Sequence, residues 1–300
     1  MKVLITDPIA KEGVEILKRE GFQVDEKPGI PKEELIATIP EYDAIIVRSA
    51  TKVTREVIEA AKKLRVIGRA GVGLDNIDRE AAKERGIKVL NTPEATSISV
   101  AELSLAMMFA NARPLVEGTT SLKQGKWEKK RLKGFELYGK TLGIIGIGRI
   151  GKELAKRAKA LGMRVLAYDP YVSSSDVAEL TTLDNLLKES DFISIHTPLT
   201  DETRHLISRE EFEKMKDGVV LINCARGGIV DEDALYEALK SGKVKSAGID
   251  VYEKEPPIGN RLLELENVVL TPHIGAQTSE GQKRAGIGIA ELVRDTLKGG

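Results

Sequence analysis

Residues 140–169 read KTLGIIGIGRIGKELAKRAKALGMRVLAYD. Residues 142–145 are a short apolar run rich in Ile, the pattern of a strand buried on both faces of a parallel sheet. Gly146, Gly148 and Gly151 follow at G-x-G-x-x-G spacing. Ile150, Leu154, Ala158 and Leu161 then recur on one helical face, and Gly162 supplies a C-terminal stop. A second strand ends in Asp169, so the stretch is a βαβ unit with glycines at the strand-to-helix turn. Gly146 permits the tight turn, Gly148 lets the backbone approach a pyrophosphate, and Gly151 lets helix and strand pack closely. The helix N-terminus offers amide donors and partial positive charge to that pyrophosphate. The glycine spacing alone is weak, but here the strand before, the helix after and the acid at the next strand end are all present. Asp169 stands about 20 residues on, where a carboxylate binds the ribose hydroxyls and repels a 2′-phosphate. No Arg in residues 170–172 offsets that repulsion, which favours NAD over NADP. Residues 146–152 also match G-x-x-x-x-G-K, the start of a triphosphate-binding loop. Glu153 then stands where that loop needs a Ser or Thr hydroxyl for magnesium, so phosphoryl transfer is excluded.

Three hundred residues suit one large domain or two ordinary ones. The 46 basic and 46 acidic residues balance, which gives no electrostatic case for nucleic acid or an anionic membrane. No apolar run approaches the ~20 residues of a membrane span. The start, MKVLITD, runs straight into a strand with no secretory signal. The single cysteine, Cys224, has no partner for an internal disulfide, and a cytoplasmic setting fits. No metal is called for.

Residues 1–92 alternate strand and helix, with strands at 3–6, 22–25, 44–47, 65–68 and 88–90, which implies a parallel sheet covered by helices. Polar groups follow the strand ends: Arg48-Ser49-Ala50-Thr51 and Arg69-Ala70-Gly71-Val72-Gly73. Ligands of open α/β sheets bind beyond such ends. Gly71-Val72-Gly73 is a second glycine loop, but Asn76 replaces its third glycine, so it is not a second dinucleotide site. Ser99 with Glu102 reads as a capping box opening a helix to about Ala112. That helix is apolar nearly all round and therefore buried, between domains or between subunits. Residues 113–138 form a long segment of weak periodicity with a basic run after Trp127, the length of an arm onto a partner subunit. From Lys140 a second series has strands at 142–145, 164–168, 192–195, 219–222, 246–249 and 268–270, a six-stranded doubly wound sheet. Residues 279–297 are a final helix that returns to the first domain.

A dehydrogenase needs a proton donor near a carbonyl, a partner for that donor, and a cation for the substrate carboxylate. His273 titrates near neutrality, a carboxylate such as Glu255 favours a protonated imidazole, and Arg226 presents a planar fork. Spacing leaves these three as candidates. The stretches RSATKVT (48–54), GRAGVGLDNID (68–78), NTPEATSISVAE (91–102), GKTLGIIGIGRIGKE (139–153), INCARGGIVDE (222–232), AGIDVYEKEPP (247–257) and TPHIGAQT (271–278) run in order along nearly the whole chain. Together they resemble the D-isomer-specific 2-hydroxyacid dehydrogenases. Within that family the first two are nearest to members that act on a phosphorylated 2-hydroxy acid, in a short form without a C-terminal regulatory domain.

The resemblance implies an α/β chain of two doubly wound parallel-sheet domains. A flavodoxin-like substrate domain takes residues 1–95 plus 277–300, a Rossmann cofactor domain takes 96–276, and a cleft between them closes on ligands. It implies a catalytic set in which Arg226 holds the substrate carboxylate, Glu255 orients His273, and His273 moves the proton. It places Gly146, Gly148, Arg149, Ile150, Gly151, Asp169, Thr197, Cys224, Ala225, Arg226, Asp250, His273, Gly275 and Ala276 around NAD. Arg48, Ser49, Arg69, Gly71, Val72 and Gly73 face the phosphorylated 2-hydroxy or 2-oxo acid. Cys224 is a packing residue, and His196 and His205 are structural. A homodimer forms through residues 99–138. Two other readings stand beside this one: a reductase of the same family acting on glyoxylate or hydroxypyruvate, and an NAD(H)-sensing binding module.

Overall fold

The alternation of short Val/Ile-rich runs with amphipathic stretches becomes two parallel sheets in the computed structural model, which describes residues 1–299. The chain divides into two compact units, Met1–Ser97 with the segment from Ala276 onward, and Ile98–Gly275.

In the first unit the elements run β1 (Lys2–Ile5), α1 (Lys11–Arg19), β2 (Gln23–Glu26), α2 (Lys32–Thr38), β3 (Ala44–Val47), α3 (Arg55–Ala60), β4 (Val66–Arg69), α4 (Arg79–Glu84) and β5 (Lys88–Asn91). The sheet order is β2-β1-β3-β4-β5, with every pairing parallel. This is the flavodoxin-type order, with its switch point between β1 and β3. Alternate residues of β3 feed opposite faces: Ile45 and Val47 join one apolar cluster, Ala44 and Ile46 the other. Both faces are thus covered, which is why these strands read as unbroken apolar runs.

The second unit holds α5 (Ser97–Ala112), α6 (Leu115–Lys123), β6 (Thr141–Ile145), α7 (Arg149–Ala160), β7 (Arg164–Tyr168), β8 (Glu179–Leu180), α8 (Leu183–Glu189), β9 (Phe192–Ile195), α9 (Arg209–Lys214), β10 (Val219–Asn223), α10 (Glu232–Ser241), β11 (Val244–Ile249) and β12 (Val268–Leu270). The last helix, α11 (Ser279–Lys298), packs in the first unit on α1 and β4. Gly13 and Gly286 let α1 and α11 approach, since a Cβ on Gly13 would lie 2.4 Å from the Gly286 carbonyl oxygen. The second sheet runs β12-β11-β10-β9-β6-β7-β8. Counted from β6, that is the Rossmann order with one strand added beyond the sixth, its switch point between β6 and β9.

Three details depart from the sequence reading. The second sheet has seven strands, not six. The extra one, β8, is two residues long and pairs with β7 through Leu166↔Glu179 and Ala167↔Leu180. Two residues are too few to carry a periodic signal. Helix α5 opens at Ser97, so Ser99 lies within it, and Glu102 pairs with Arg157 at 3.1 Å instead of closing a capping box. One face of it serves its own unit: a Cβ on Gly248 of β11 would meet the Met107 Cβ at 2.9 Å, so α5 lies directly on the sheet, while Ile98 and Phe109 stay exposed. Finally, the segment after α5 is partly helical, as α6. It is pinned at its far end by Phe135, whose amide donates to Ala112 O (2.9 Å) and whose ring lies 5.8 Å from that of Phe192.

Candidate active site

At the end of β6 the chain turns through Gly146, at φ +93, where a Cβ would strike the His196 carbonyl oxygen at 2.7 Å. Gly148 caps α7, and a Cβ there would meet nothing within 4 Å. A Cβ on Gly151 would lie 2.3 Å from the Gly146 carbonyl oxygen. The three glycines therefore meet three different demands: a left-handed turn, open space in front of the helix, and close packing behind it. The helix ladder opens with Lys152 N donating to Gly148 O (2.9 Å), so the amides before it have no carbonyl one turn back. Asp169 reaches across from β7. Its Oδ2 accepts from Ile147 N (3.1 Å) and its Oδ1 from Tyr171 N (3.0 Å), so this strand-end acid braces the glycine turn. Open space, amide donors and a strand-end acid together fit a dinucleotide.

Further along the same sheet edge, His273 Nδ1 stands 2.8 Å from Glu255 Oε2. The other carboxylate oxygen of Glu255 accepts from Tyr252 N (3.2 Å). Both members of the pair are open to solvent. His273 sits at φ +55, a left-handed conformation that costs a residue with a Cβ about 1–2 kcal/mol. Asp250, only 1% exposed, holds it there: Oδ1 accepts from Thr271 Oγ1 (2.6 Å) and Ile274 N (2.7 Å), and Oδ2 from Gly275 N (2.8 Å). The carboxylate of Asp250 thus shapes the loop that presents the histidine. Arg226 follows β10, where Asn223 ties the turn by accepting from Ala225 N (3.1 Å) and donating to Arg226 O (3.1 Å). A Cβ on Gly227 would lie 1.8 Å from Tyr252 O, so the loop after β10 and the loop after β11 are packed backbone to backbone. This brings Arg226 into the same loop cluster as Glu255. Thr197, just past β9, and Ala276, the first residue of the first unit's second segment, make no side-chain contact that defines a role.

Cys224 is buried, with Sγ 3.6 Å from Met107 Sδ, and burial pushes its thiol up to about 12. It is not a nucleophile. His196 bonds Ser194 Oγ through Nε2 (2.9 Å), and its Nδ1 is sealed from solvent. Burial pushes its pKa down to about 3, so it stays neutral. His205 faces Glu253 at 3.1 Å.

In the first unit Arg48 follows β3 and Arg69 ends β4. Two residues given no site role in the sequence reading hold the turn 48–51. Asp7, 4% exposed, accepts from Arg48 N (2.6 Å) and Thr51 N (3.1 Å) through Oδ2, and from Thr51 Oγ1 (2.8 Å) through Oδ1. The Asn76 amide donates to Arg48 O (2.8 Å) and Thr51 O (2.7 Å). Asp7 ends its strand as Asp169 does, and that parallel was the available signal. With the turn bound at both ends, the Ser49 side chain and the amides of Ser49 and Ala50 have no partner among the described residues. The Arg69 guanidinium lies over Gly71, where a Cβ would stand 1.7 Å from Nη1. Asn91 Nδ2 donates to Val72 O (2.6 Å), fixing the second glycine loop through Gly73.

Comparison with known proteins matches residues 105–275 to the family described as D-isomer specific 2-hydroxyacid dehydrogenase, NAD binding domain. The chain belongs to the D-isomer-specific 2-hydroxyacid dehydrogenases. Its cofactor is NAD. Among relatives of this dehydrogenase, a D-3-phosphoglycerate dehydrogenase of Methanocaldococcus jannaschii is 53% identical over 304 residues, covering 100% of this chain and 58% of that protein. A hydroxypyruvate reductase of Thermotoga maritima is 56% identical over 297 residues, covering 97% of each. A crystal structure from Thermus thermophilus superposes with a TM-score of 0.93 at 40% identity, covering 100% of this chain and 97% of that one. The chain spans about half the length of the phosphoglycerate dehydrogenases it matches. No helix among its described residues is long and apolar enough to cross a membrane, and no group of three or more His, Cys, Asp or Glu among them could hold a metal ion.

Proposed function

We propose that this chain oxidises D-3-phosphoglycerate to 3-phosphohydroxypyruvate, the first step of serine biosynthesis, with NAD. The observation that carries the catalytic part is the His273–Glu255 contact of 2.8 Å in one loop cluster with Arg226. Glu255 accepts a hydrogen bond from Nδ1–H, which leaves Nε2 of His273 to take the proton of the substrate hydroxyl. The Arg226 fork holds the carboxylate beside the reacting carbon. NAD, when bound, accepts the hydride from that carbon. The hydroxyl proton and the hydride together account for the two-electron oxidation, and the reverse direction uses the same groups. Gly146, Gly148, Arg149, Ile150, Gly151 and Asp169 serve the dinucleotide, with Thr197, Ala225, Asp250, Gly275 and Ala276 on its nicotinamide side.

The phosphate is assigned to Arg48 and the turn that Asp7 and Asn76 hold, with Arg69 and the loop 71–73 beside it in the same unit. The guanidinium, the Ser49 hydroxyl and two amide donors support that reading. The Thermotoga relative favours a second one, reduction of hydroxypyruvate. Charge-assisted hydrogen bonds are worth about 1.5–3 kcal/mol, so Arg48→Ala should lower kcat/KM for 3-phosphohydroxypyruvate roughly ten- to a hundredfold. Hydroxypyruvate should be affected little. Equal losses on both substrates, or a wild type that prefers hydroxypyruvate or glyoxylate, leaves only the family-level activity.

A homodimer through residues 99–138 belongs to the proposal. Phe109, Leu115, Val116, Leu122, Trp127 and Tyr138 all expose apolar surface along this segment, Trp127 to 82%. Exposed apolar side chains recurring along one segment support an association surface there.

A further inference from the structure

Glu255 is carried on a loop, residues 253–260, whose two ends meet at one side chain from elsewhere. Glu232, the first residue of α10, accepts from Glu253 N through Oε1 (2.7 Å) and from Asn260 Nδ2 through Oε2 (2.5 Å). Asn260 is itself fixed, since its Oδ1 accepts from Leu262 N (2.9 Å) and caps the short turn Arg261–Glu264. Glu253 reaches back, its Oε1 accepting from Glu232 N (3.4 Å) and standing 3.1 Å from His205 Nε2. Inside the loop, Ile258 N donates to Pro256 O (2.9 Å) and Asn260 N to Pro257 O (3.2 Å). Nothing else in this set of bonds joins the loop's start to its end.

An acid in the first turn of a helix is ordinarily a solvated partner of the helix dipole. Glu232 departs from that pattern. Its carboxyl is half-buried and raised above the usual carboxylate range, first by burial and further by the charges of Glu253 and Asp233. The hydrogen bonds from the Glu253 amide and Asn260 oppose the rise. Withdrawing a carboxylate from water is unfavourable unless its oxygens find donors, and here both donors belong to the loop.

We propose that Glu232 is a positioning residue, a clamp at the neck of the 253–260 loop that holds Glu255 against His273. The inference rests on the reading of His273 and Glu255 as the proton-transfer pair. Its consequence is non-additivity: a clamp that acts only through Glu255 has nothing to hold once Glu255 has lost its charge.

The test uses Glu232→Ala, Glu232→Gln, Asn260→Ala, Glu255→Gln and the Glu232→Ala/Glu255→Gln double variant. Each is assayed in the reducing direction with NADH and whichever oxo acid the wild type prefers, and melting temperature is recorded. Glu232→Ala should lower kcat ten- to a hundredfold and leave KM for NADH within a factor of two. Glu232→Gln keeps an acceptor for Glu253 N but turns an amide donor toward Asn260 Nδ2, so it should recover part of that loss. Asn260→Ala removes one of the two ties and should fall between, which keeps the test available if Glu232→Ala does not fold. On the Glu255→Gln background, Glu232→Ala should cost less than twofold. Equal costs on the two backgrounds, or kcat losses matched by proportional rises in KM for NADH, overturn the clamp alone. A Glu255→Gln enzyme as active as wild type overturns the proton-transfer reading and the clamp's catalytic role with it.

Discussion

Replacing Gly148 with alanine adds one methyl group where the protein leaves room for it. The backbone there lies at φ −71 and ψ −157, which any residue adopts, and the new Cβ meets no atom within 4 Å. Folding should be unharmed, or favoured by about 0.4–1 kcal/mol through the less flexible unfolded chain. The same methyl enters the space the pyrophosphate requires. Losing one charge-assisted hydrogen bond from that displacement costs about 1.5–3 kcal/mol, roughly ten- to a hundredfold in the dissociation constant for NADH. Gly151→Ala is the counter-experiment. Its Cβ would lie 2.3 Å from a backbone oxygen and 3.1 Å from Ile144 Cγ2, neither of which can swing aside. Overpacking of this kind costs about 1–3 kcal/mol, or about 2–4 °C of melting temperature for each kcal/mol in a domain of this size. Scanning calorimetry without cofactor and fluorescence titration with NADH, run on both variants, separate the effects. Wild-type NADH affinity in Gly148→Ala would show that the open space is not the cofactor's. Wild-type stability in Gly151→Ala would show that the packing contact is misread.

Asp169→Ala should cut the preference for NAD over NADP by about 1–3 kcal/mol, as measured by kcat/KM with each cofactor; an unchanged preference, or a wild type that already uses both, refutes the assignment. His196 is held neutral in the folded chain with its pKa near 3, below the ordinary 6.5. The unfolded chain therefore binds the extra proton between those values, so stability is full above pH 7 and falls as the pH drops toward 3. Between pH 7.5 and 5 the loss from this group is about 2 kcal/mol; urea unfolding of wild type and His196→Gln at both pH values should show it in wild type alone, and parallel losses would refute it. Sedimentation should find a dimer, and Trp127→Ser with Leu122→Ser should shift it toward monomer; a fully active wild-type monomer would end that part of the proposal.

The glycine spacing of residues 146–151 was legible because each glycine answers a local demand that no other residue meets. Arg226, Glu255 and His273 were legible singly as candidates and as a set only through the family resemblance; the Gly227–Tyr252 contact and Asp250 account for how their loops are held. The supporting roles of Asn76 and Glu232 were not legible, and that of Asp7 only through its likeness to Asp169. Each works through bonds to backbone atoms far away in sequence, and such bonds leave no periodic or compositional trace. Strand β8 escaped for the same reason that it is weak: two residues define no alternation. The helix start at Ser97 was missed because hydroxyl residues crowd positions 96–99, and local propensity does not choose among them.

The single thiol of the chain lies in the seam between α5 and β10 and stays protonated at any ordinary pH. A disulfide reagent attacks only a thiolate it can reach. Modification of Cys224 therefore reports the moments when the packing around it opens, and its rate in native buffer gives the free energy of that opening. The first unit has no cysteine, so the signal belongs to the second unit alone. A native residue thus serves as a stopwatch for one half of the chain, and a ligand that lengthens its interval must be gripping that half.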